Sequence, residues 1–539
     1  MATPIINRLL LLGNKIKSLL NYFGNTKVII ATSGGTTYAS GSTKLYMSTD
    51  LNLTWGDSLI DITPDYFSSA YISSTGTVIA LTNAGNMYRS TDGTTFAQVD
   101  TTALGVILTP LWGCFANNGD TIVFAEYSTE AGDKRVFTST DDGATWAVTL
   151  TKVDPDDIRH WHSCQWIASI GQFLLTSGDS NLQVKWFTSP TGAVNTWYEI
   201  PGISSVDATS QMYRNLSVVE NGTNLMWGSD TQVGAAIYKM PTRNIVSLVN
   251  LLGAYGALLE DADANGIADG LSPINVTGSI ADGTQTITTT ETVSEHYTQF
   301  SVLAFSDTPV VGDKLYYAGV FRAPNSRARV TLFSKKADGA YASSAATSAS
   351  GLEDFTFISV ELDIVSLHET PVIYLRQAVL QLVPGETLYA GSGEYIQFKN
   401  LAYINKTKCF GAGNEPTKAE LDAVMATKTH FITSQYESLS PVKVYDLPHA
   451  CWGLAKGATE YVAVTSVETG DADRSATVHT SKDGVKWQLD KKWAIRSAYT
   501  YGGFRSARYL STHKRYAFNI QYLENTTTAG NYSIVASLK

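Results

Sequence analysis

Apolar residues recur with two different periods along the chain. Over residues 4–24, Ile5, Leu9, Leu12, Ile16, Leu19 and Phe23 follow one another at steps of four, three, four, three and four, a heptad seam across three heptads. Mixed Ile and Leu at both seam positions does not select a two-stranded coiled coil. The pattern predicts a helical stem over residues 1–26 that trimerises; a single amphipathic helix lying on its own domain fits the same stripe, and Gly13 weakens its middle. From residue 27 onward the chain reads as short strands, such as 44–47, 135–138, 235–238 and 515–522, set off by turns rich in Gly, Asp and Asn.

The turns repeat. Ser48, Asp50 and Trp55 stand in the same order as Ser139, Asp141, Gly143 and Trp146, each set following a strand-like run. Shortened copies are Ser90, Asp92 and Phe96, then Ser481, Asp483 and Trp487, and a worn copy spans 189–197. In a tight hairpin the Asp carboxylate accepts backbone N–H groups, Gly supplies a positive φ, and the aromatic opens the next strand by packing beneath the turn. Ser48 to Ser90 is 42 residues, Ser90 to Ser139 is 49, and Ser139 to Ser189 is 50. Each step is about the length of one four-stranded blade. These residues resemble the Asp-box, S-x-D-x-G-x-T-W, of sialidase-like β-propellers, which implies an all-β ring of seven blades, or six if the terminal segments share one.

One more step of 50 reaches Lys239, and the next box, at Ser481, lies 242 residues further on. Removing one blade leaves about 192 residues outside the period, enough for a domain. The predicted organisation is therefore a propeller over 27–243 and 438–539, interrupted near the outer edge of its fifth blade by an inserted β-sandwich over 244–437. Alternating runs at 314–322, 328–333, 355–360 and 395–401 suit its two sheets. Asn250-Leu251-Leu252 leading into residues 261–270 resembles the opening of jelly-roll carbohydrate-binding modules. Residues 410–417, reading FGAGNEPT before a predicted short helix at 418–425, resemble a segment recurrent after such modules in bacteriophage tail proteins.

Composition narrows the function. With 39 Lys and Arg against 49 Asp and Glu, the net charge of −10 has the wrong sign for broad nucleic-acid binding. No run approaches the roughly 18 apolar residues of a membrane span, so no membrane insertion is expected. The Leu9–Leu12 run lacks a small-residue cleavage site after it, which argues against a secretory signal and so against a bacterial surface adhesin. Four scattered cysteines, Cys114, Cys164, Cys409 and Cys451, read as free thiols; three of them fall at equivalent points of inner-strand segments, which points to packing.

Several residues carry candidate chemistry. His160 and His162 alternate onto one face of the strand opening the fourth blade, where they are able to share a metal or to hydrogen-bond Asp179. Two imidazoles without a third placed ligand fall short of a zinc site, and hydrogen bonding is the preferred reading. Asp261, Asp263, Asn265 and Asp269 form half of a calcium loop, but position twelve is Ser272 rather than Glu, which excludes a full EF-hand. A weaker structural Ca²⁺ site and a merely solvated polar turn both fit.

Sialidase chemistry is poorly supported, because the F/Y-R-I-P motif that the resemblance would require is missing. Another glycosidase would need only two carboxylates, which acidic loop residues such as Glu126 and Asp154 supply. Sugar binding asks for flat aromatics flanked by polar groups. The candidates are Trp161, His160 and Asp179 on the propeller and Tyr316, Tyr317, Arg322 and Tyr395 in the insert. The reading that results is a non-catalytic receptor-binding protein or tail fibre of a phage virion, assembled in the host cytoplasm. It would be a homotrimer joined to other tail or baseplate proteins through its N-terminal helix, and would attach to host surface polysaccharide. The alternative is a polysaccharide-degrading tailspike that uses the jelly roll for targeting.

Overall fold

The computed structural model describes residues 28–539 apart from 34–35, 42, 50–55, 112, 204–207, 232–233, 253–263, 269–270, 291–295, 302–308, 336–340, 368–372, 381–392, 429–432, 468–474, 495–498, 511–514, 525–527 and 537–539. The predicted stem, Asp50 and Trp55 of the first box, and Asp261, Asp263 and Asp269 of the calcium candidate lie outside the described residues. The chain divides into two compact units, one ending at Asn244 and resuming at Leu439, the other mainly Ile245–Ser438.

The first unit is built of antiparallel sheets in simple up-and-down order. Blade 1 runs Val28–Ser33, Thr36–Gly41, Lys44–Ser48 and Ile60–Asp61. Blade 2 runs Phe67–Ile72, Val78–Thr82, Met87–Ser90 and Ala97–Gln98, and blade 3 runs Phe115–Asn118, Thr121–Ala125, Gly132–Ser139 and Ala147–Asp154. Blade 4 comprises His160–Ile167, Gln172–Gly178, Trp186–Ser189 and Tyr198–Glu199. Blade 5 has Val218–Asn221, Asn224–Gly228 and Ala236–Pro241, and takes its outer strand, Val442–Asp446, from beyond the second unit in sequence. Blade 6 comprises Cys451–Lys456, Tyr461–Val467, Ser475–Ser481 and Trp487–Ala494. Blade 7 has three described strands, Tyr499–Leu510, Arg515–Glu524 and Thr528–Ala536.

The first strands of successive blades pack side by side, and that of blade 7 lies against that of blade 1, so the ring closes. Between blades 2 and 3 the link is a stacked Tyr71–Phe115 pair with ring centroids 5.1 Å apart. Apolar side chains fill the wedges: Leu45 and Phe67 between blades 1 and 2, Ile79 and Phe124 between 2 and 3, Trp161 and Phe173 between 3 and 4. Closure buries the two blade faces that an open stack would expose and leaves only the short outer edges of the blades.

The repeated turns act as clamps. Ser139 donates to Asp141 at 2.7 Å and accepts the Gly143 N–H at 2.8 Å, Asp141 accepts the Thr145 N–H at 2.8 Å, and Trp146 Nε1 donates to the Gly143 carbonyl at 3.1 Å. Around Asp92 and Asp483 the same Asp-to-backbone bonds form, to Thr94 and Thr95 and to Val485 and Lys486. Each turn also rests on the blade before it. Tyr38 donates to the Gly93 carbonyl, Thr138 to that of Gly192 and Asn221 to that of Asp483, and Gly143 faces Ile79. The box thus serves both its own hairpin and the contact between blades.

The second unit is a β-sandwich with two short helices. Lys314–Lys335 is one continuous strand, where two strands at 314–322 and 328–333 were predicted. It shifts register between Phe321 and Arg327, around Pro324, and pairs with Tyr395–Asn405 before the shift and with Ile373–Leu380 after it. Its long partner Tyr341–Asp363 follows it through both halves. One strand pair therefore belongs to both layers, and residues from each half, Tyr317 and Phe321 with Val330 and Leu332, share one core. Asn405 caps helix α1, Lys406–Phe410, and Thr417 and Glu420 form a capping box on α2, Lys418–Met425. Within FGAGNEPT, Gly411 and Gly413 take positive φ, and Glu415 accepts from Thr407 and from the Gly413 N–H.

Candidate functional site

The inner strands of blades 2 to 7 enclose a cavity of about 870 Å³ in the channel of the ring. Its wall on blade 4 carries His160 and His162, both buried. His162 shares the channel side with His160 as alternation requires, and a register shift between Trp161 and Ser163 reverses the alternation beyond it, so Cys164 turns into the core. Asp179 stands just past the neighbouring strand, and its carboxylate gathers four groups. Arg159 Nη1 and His160 Nε2 lie 2.9 and 3.4 Å from Oδ2; Arg214 Nη2 and His162 Nε2 lie 3.0 and 3.4 Å from Oδ1. Arg214 Nη2 is also 3.2 Å from Asp230, a buried carboxylate of blade 5 that lines the same cavity.

Burial by itself would raise the Asp179 pKa. Interactions with His160 and His162 and the charge on Arg214 outweigh that penalty and hold the carboxyl well below the usual carboxylate range. For His160 burial dominates, lowering its pKa despite the pull of Asp179. The rings of His160 and His162 stack at 5.0 Å, and Tyr127 leans on His160 at 4.5 Å. His162 Nδ1 faces the Asn215 carbonyl at 3.2 Å, whereas His160 Nδ1 is buried and meets no polar partner. Aromatics complete the wall: Tyr71, Trp166 and Trp452 are half-buried and line the cavity, with Trp166 edge-on to Phe173 at 4.7 Å.

The sequence-predicted residues separate into groups. His160 and Asp179 meet in the channel. Trp161 does not join them: it is 0 % exposed in the wedge between blades 3 and 4, with Nε1 on the Lys134 carbonyl, and offers no face to a ligand. In the insert, Tyr316 and Tyr317 are likewise buried. Tyr317 belongs to the sandwich core, and Tyr316 donates to Asp422 of α2 at 2.7 Å. Arg322 is held by the Glu353 carbonyl and Gln397, and Tyr395 is half-buried two residues from Gln397 on the neighbouring strand. Asn265, the described member of the calcium candidate, caps its own turn by accepting the Ile267 N–H at 2.7 Å. Glu126 is tied to Arg135 at 2.9 Å, which makes it part of the scaffold. Burial keeps Cys114, Cys164 and Cys451 as neutral thiols, the last pushed up to about 12.

Residue order reveals what sequence inspection missed. The positions directly after the three equivalent cysteines, Phe115, Gln165 and Trp452, all line the cavity. With the cysteines buried on one face of the blade, the next residue on the strand lies on the opposite face, at the cavity's edge.

No protein-family model matches the chain, and no curated protein does. Among solved structures it is similar to YCF48 from Cyanidioschyzon merolae, at 8% identity over 96% of this chain and 98% of that one, with a TM-score of 0.39. An ancestral GH74 enzyme matches at 11% identity over 96% of this chain and 60% of its own, with a TM-score of 0.30. A CBM4 matches at 12% identity over 28% of this chain and 97% of its own, with a TM-score of 0.20.

Proposed function

We propose that this protein is the receptor-binding protein of a bacteriophage tail and that it holds a host-surface glycan in the channel of its propeller without cleaving it. One observation carries the binding reading: a cavity of about 870 Å³ whose wall alternates half-buried aromatics with fixed polar groups. Tyr71, Tyr127, Trp166 and Trp452 supply flat faces for pyranose rings, and Asp179 and Gln165 supply hydrogen-bonding groups for hydroxyls. An ionised Asp179 accepts hydroxyl hydrogen bonds well. The phage assignment rests on the FGAGNEPT segment, and the trimeric stem on the heptad seam of residues 4–24. Three copies would convert weak single-site contacts into durable adsorption.

The test is adsorption of the purified full chain to host cells, with soluble-sugar release measured in parallel. Adsorption that falls at least tenfold in Trp452→Ala, without release of reducing sugar, is the expected result. Adsorption unchanged in Trp452→Ala and in Trp166→Ala would place the receptor site elsewhere, and sugar release would establish the tailspike alternative. Loss of the trimer on deleting residues 1–24, read by sedimentation, tests the stem separately.

A further inference from the structure

His160, His162 and Asp179 have a shared geometry that the glycan reading uses only through Asp179. One ring nitrogen of each histidine and a carboxylate oxygen lie within 4.8 Å of one another. His160 Nε2 is 3.4 Å from Asp179 Oδ2 and His162 Nε2 is 3.4 Å from Oδ1, and about 3.4 Å is the separation of two ligands that each sit about 2.1 Å from a tetrahedral ion, so each imidazole faces one oxygen of the same carboxylate at ligand spacing. We propose that these three side chains form a binding site for a divalent transition-metal ion of the zinc class, open to the channel.

The surroundings of His162 support this. Its Nδ1 faces the Asn215 carbonyl, which only accepts, so Nδ1 carries a hydrogen. Its Nε2 faces the Asp179 carboxylate, which also only accepts. An imidazole whose Nδ1–H is fixed by a carbonyl is the usual arrangement of a metal-ligating histidine. Asn215 is fully buried and anchored in turn to the Tyr213 carbonyl at 2.8 Å, so the ring is held in place before any ion arrives.

Asp179 has room for the ion. An ionised carboxylate offers about four lone-pair directions. Arg159 and Arg214 take one on each oxygen, and the two histidines face the others. The two guanidiniums repel a dication. Arg159 is 45% exposed and therefore screened, and Arg214 is shared with Asp230, so the repulsion weakens the site without closing it. With three protein ligands the ion keeps at least one position for water or for a hydroxyl of whatever occupies the channel.

The probe is Co²⁺, added at neutral pH to the full chain without a polyhistidine tag. The expected result is one equivalent bound with the d–d absorption of a low-coordinate nitrogen–oxygen site, bleached by Zn²⁺. His162→Gln and Asp179→Asn each weaken binding by about 100-fold, at least the loss seen on removing an outer-shell partner. His479→Gln, in blade 6, leaves it unchanged. Should a channel variant not fold, equilibrium dialysis of the wild type against Zn²⁺ measures the same stoichiometry. A folded wild type that retains no ion and develops no absorption overturns the proposal, as does a signal undiminished in folded His162→Gln. Adsorption measured with chelator present separates this outcome from the glycan reading.

Discussion

The guanidinium of Arg214 lies 3.0 Å from the carboxylate of Asp179, and the same nitrogen lies 3.2 Å from Asp230. One cation thus joins a residue at the end of a blade 4 strand to a buried residue of blade 5. Arg214→Met leaves Asp230 buried without its counter-charge. A loss of about 2–3 kcal/mol is expected in urea unfolding, below the range for fully buried pairs because Arg214 and Asp179 are 25% and 22% exposed. A loss under about 0.5 kcal/mol would mean that the bridge is not formed in solution.

The box glycines test the clamp between blades. Gly143 has φ of +86°, and a Cβ there would approach Ile79 Cδ1 to 2.5 Å, whereas Gly119, at φ +56°, faces open space. Gly119→Ala should cost about 1 kcal/mol from backbone strain alone, and Gly143→Ala visibly more. Equal costs in denaturant unfolding would show that the turn does not press on blade 2.

Acid should destabilise blade 6. His479 is buried, with Nε2 on Thr477 at 2.7 Å and Nδ1 on Tyr445 at 3.2 Å, and burial lowers its pKa to about 4. The unfolded chain, with an ordinary pKa near 6.5, binds the proton more readily. The contribution of His479 is therefore fully present above pH ~6.5 and declines as pH falls towards 4, by about 3 kcal/mol in all. His479→Gln removes this part of the pH dependence; a stability profile identical to wild type between pH 6.5 and 4 would contradict the assignment.

Two tryptophans should behave in opposite ways. Trp161 is fully buried between blades, so Trp161→Ala should cost about 3–5 kcal/mol and lower the thermal midpoint sharply. Trp452 lines the channel and is half-buried, so Trp452→Ala should cost far less while removing ligand binding. Thermal unfolding and adsorption measured on both variants check the contrast.

The propeller was legible because its signal is local and repeated. A Ser, an Asp, a Gly and an aromatic within eight residues build one turn, and the same turn returns at blade-length intervals. Helix α2 was legible for a similar reason: Thr417 and Glu420 cap it through contacts three residues apart. His160, His162 and Asp179 could be named because strand alternation and one hairpin bring them together.

Long-range packing settled the remainder. Trp161, Tyr316 and Tyr317 look in sequence like any channel aromatic, and only the packing of neighbouring strands shows them sealed in cores. A bulge at Trp161–Ser163 inverts the face that each residue beyond it presents, and alternation cannot foresee where an extra residue will be accommodated. Arg214, Asp230 and Trp452 come from separate segments that meet only when the ring closes. Short-range hydrogen bonding and periodicity write the blades into the chain residue by residue, whereas the channel exists only where the inner strands of distant blades converge. Its charges and aromatic faces are a property of that closure, because no single segment is long enough to build both sides of the wall.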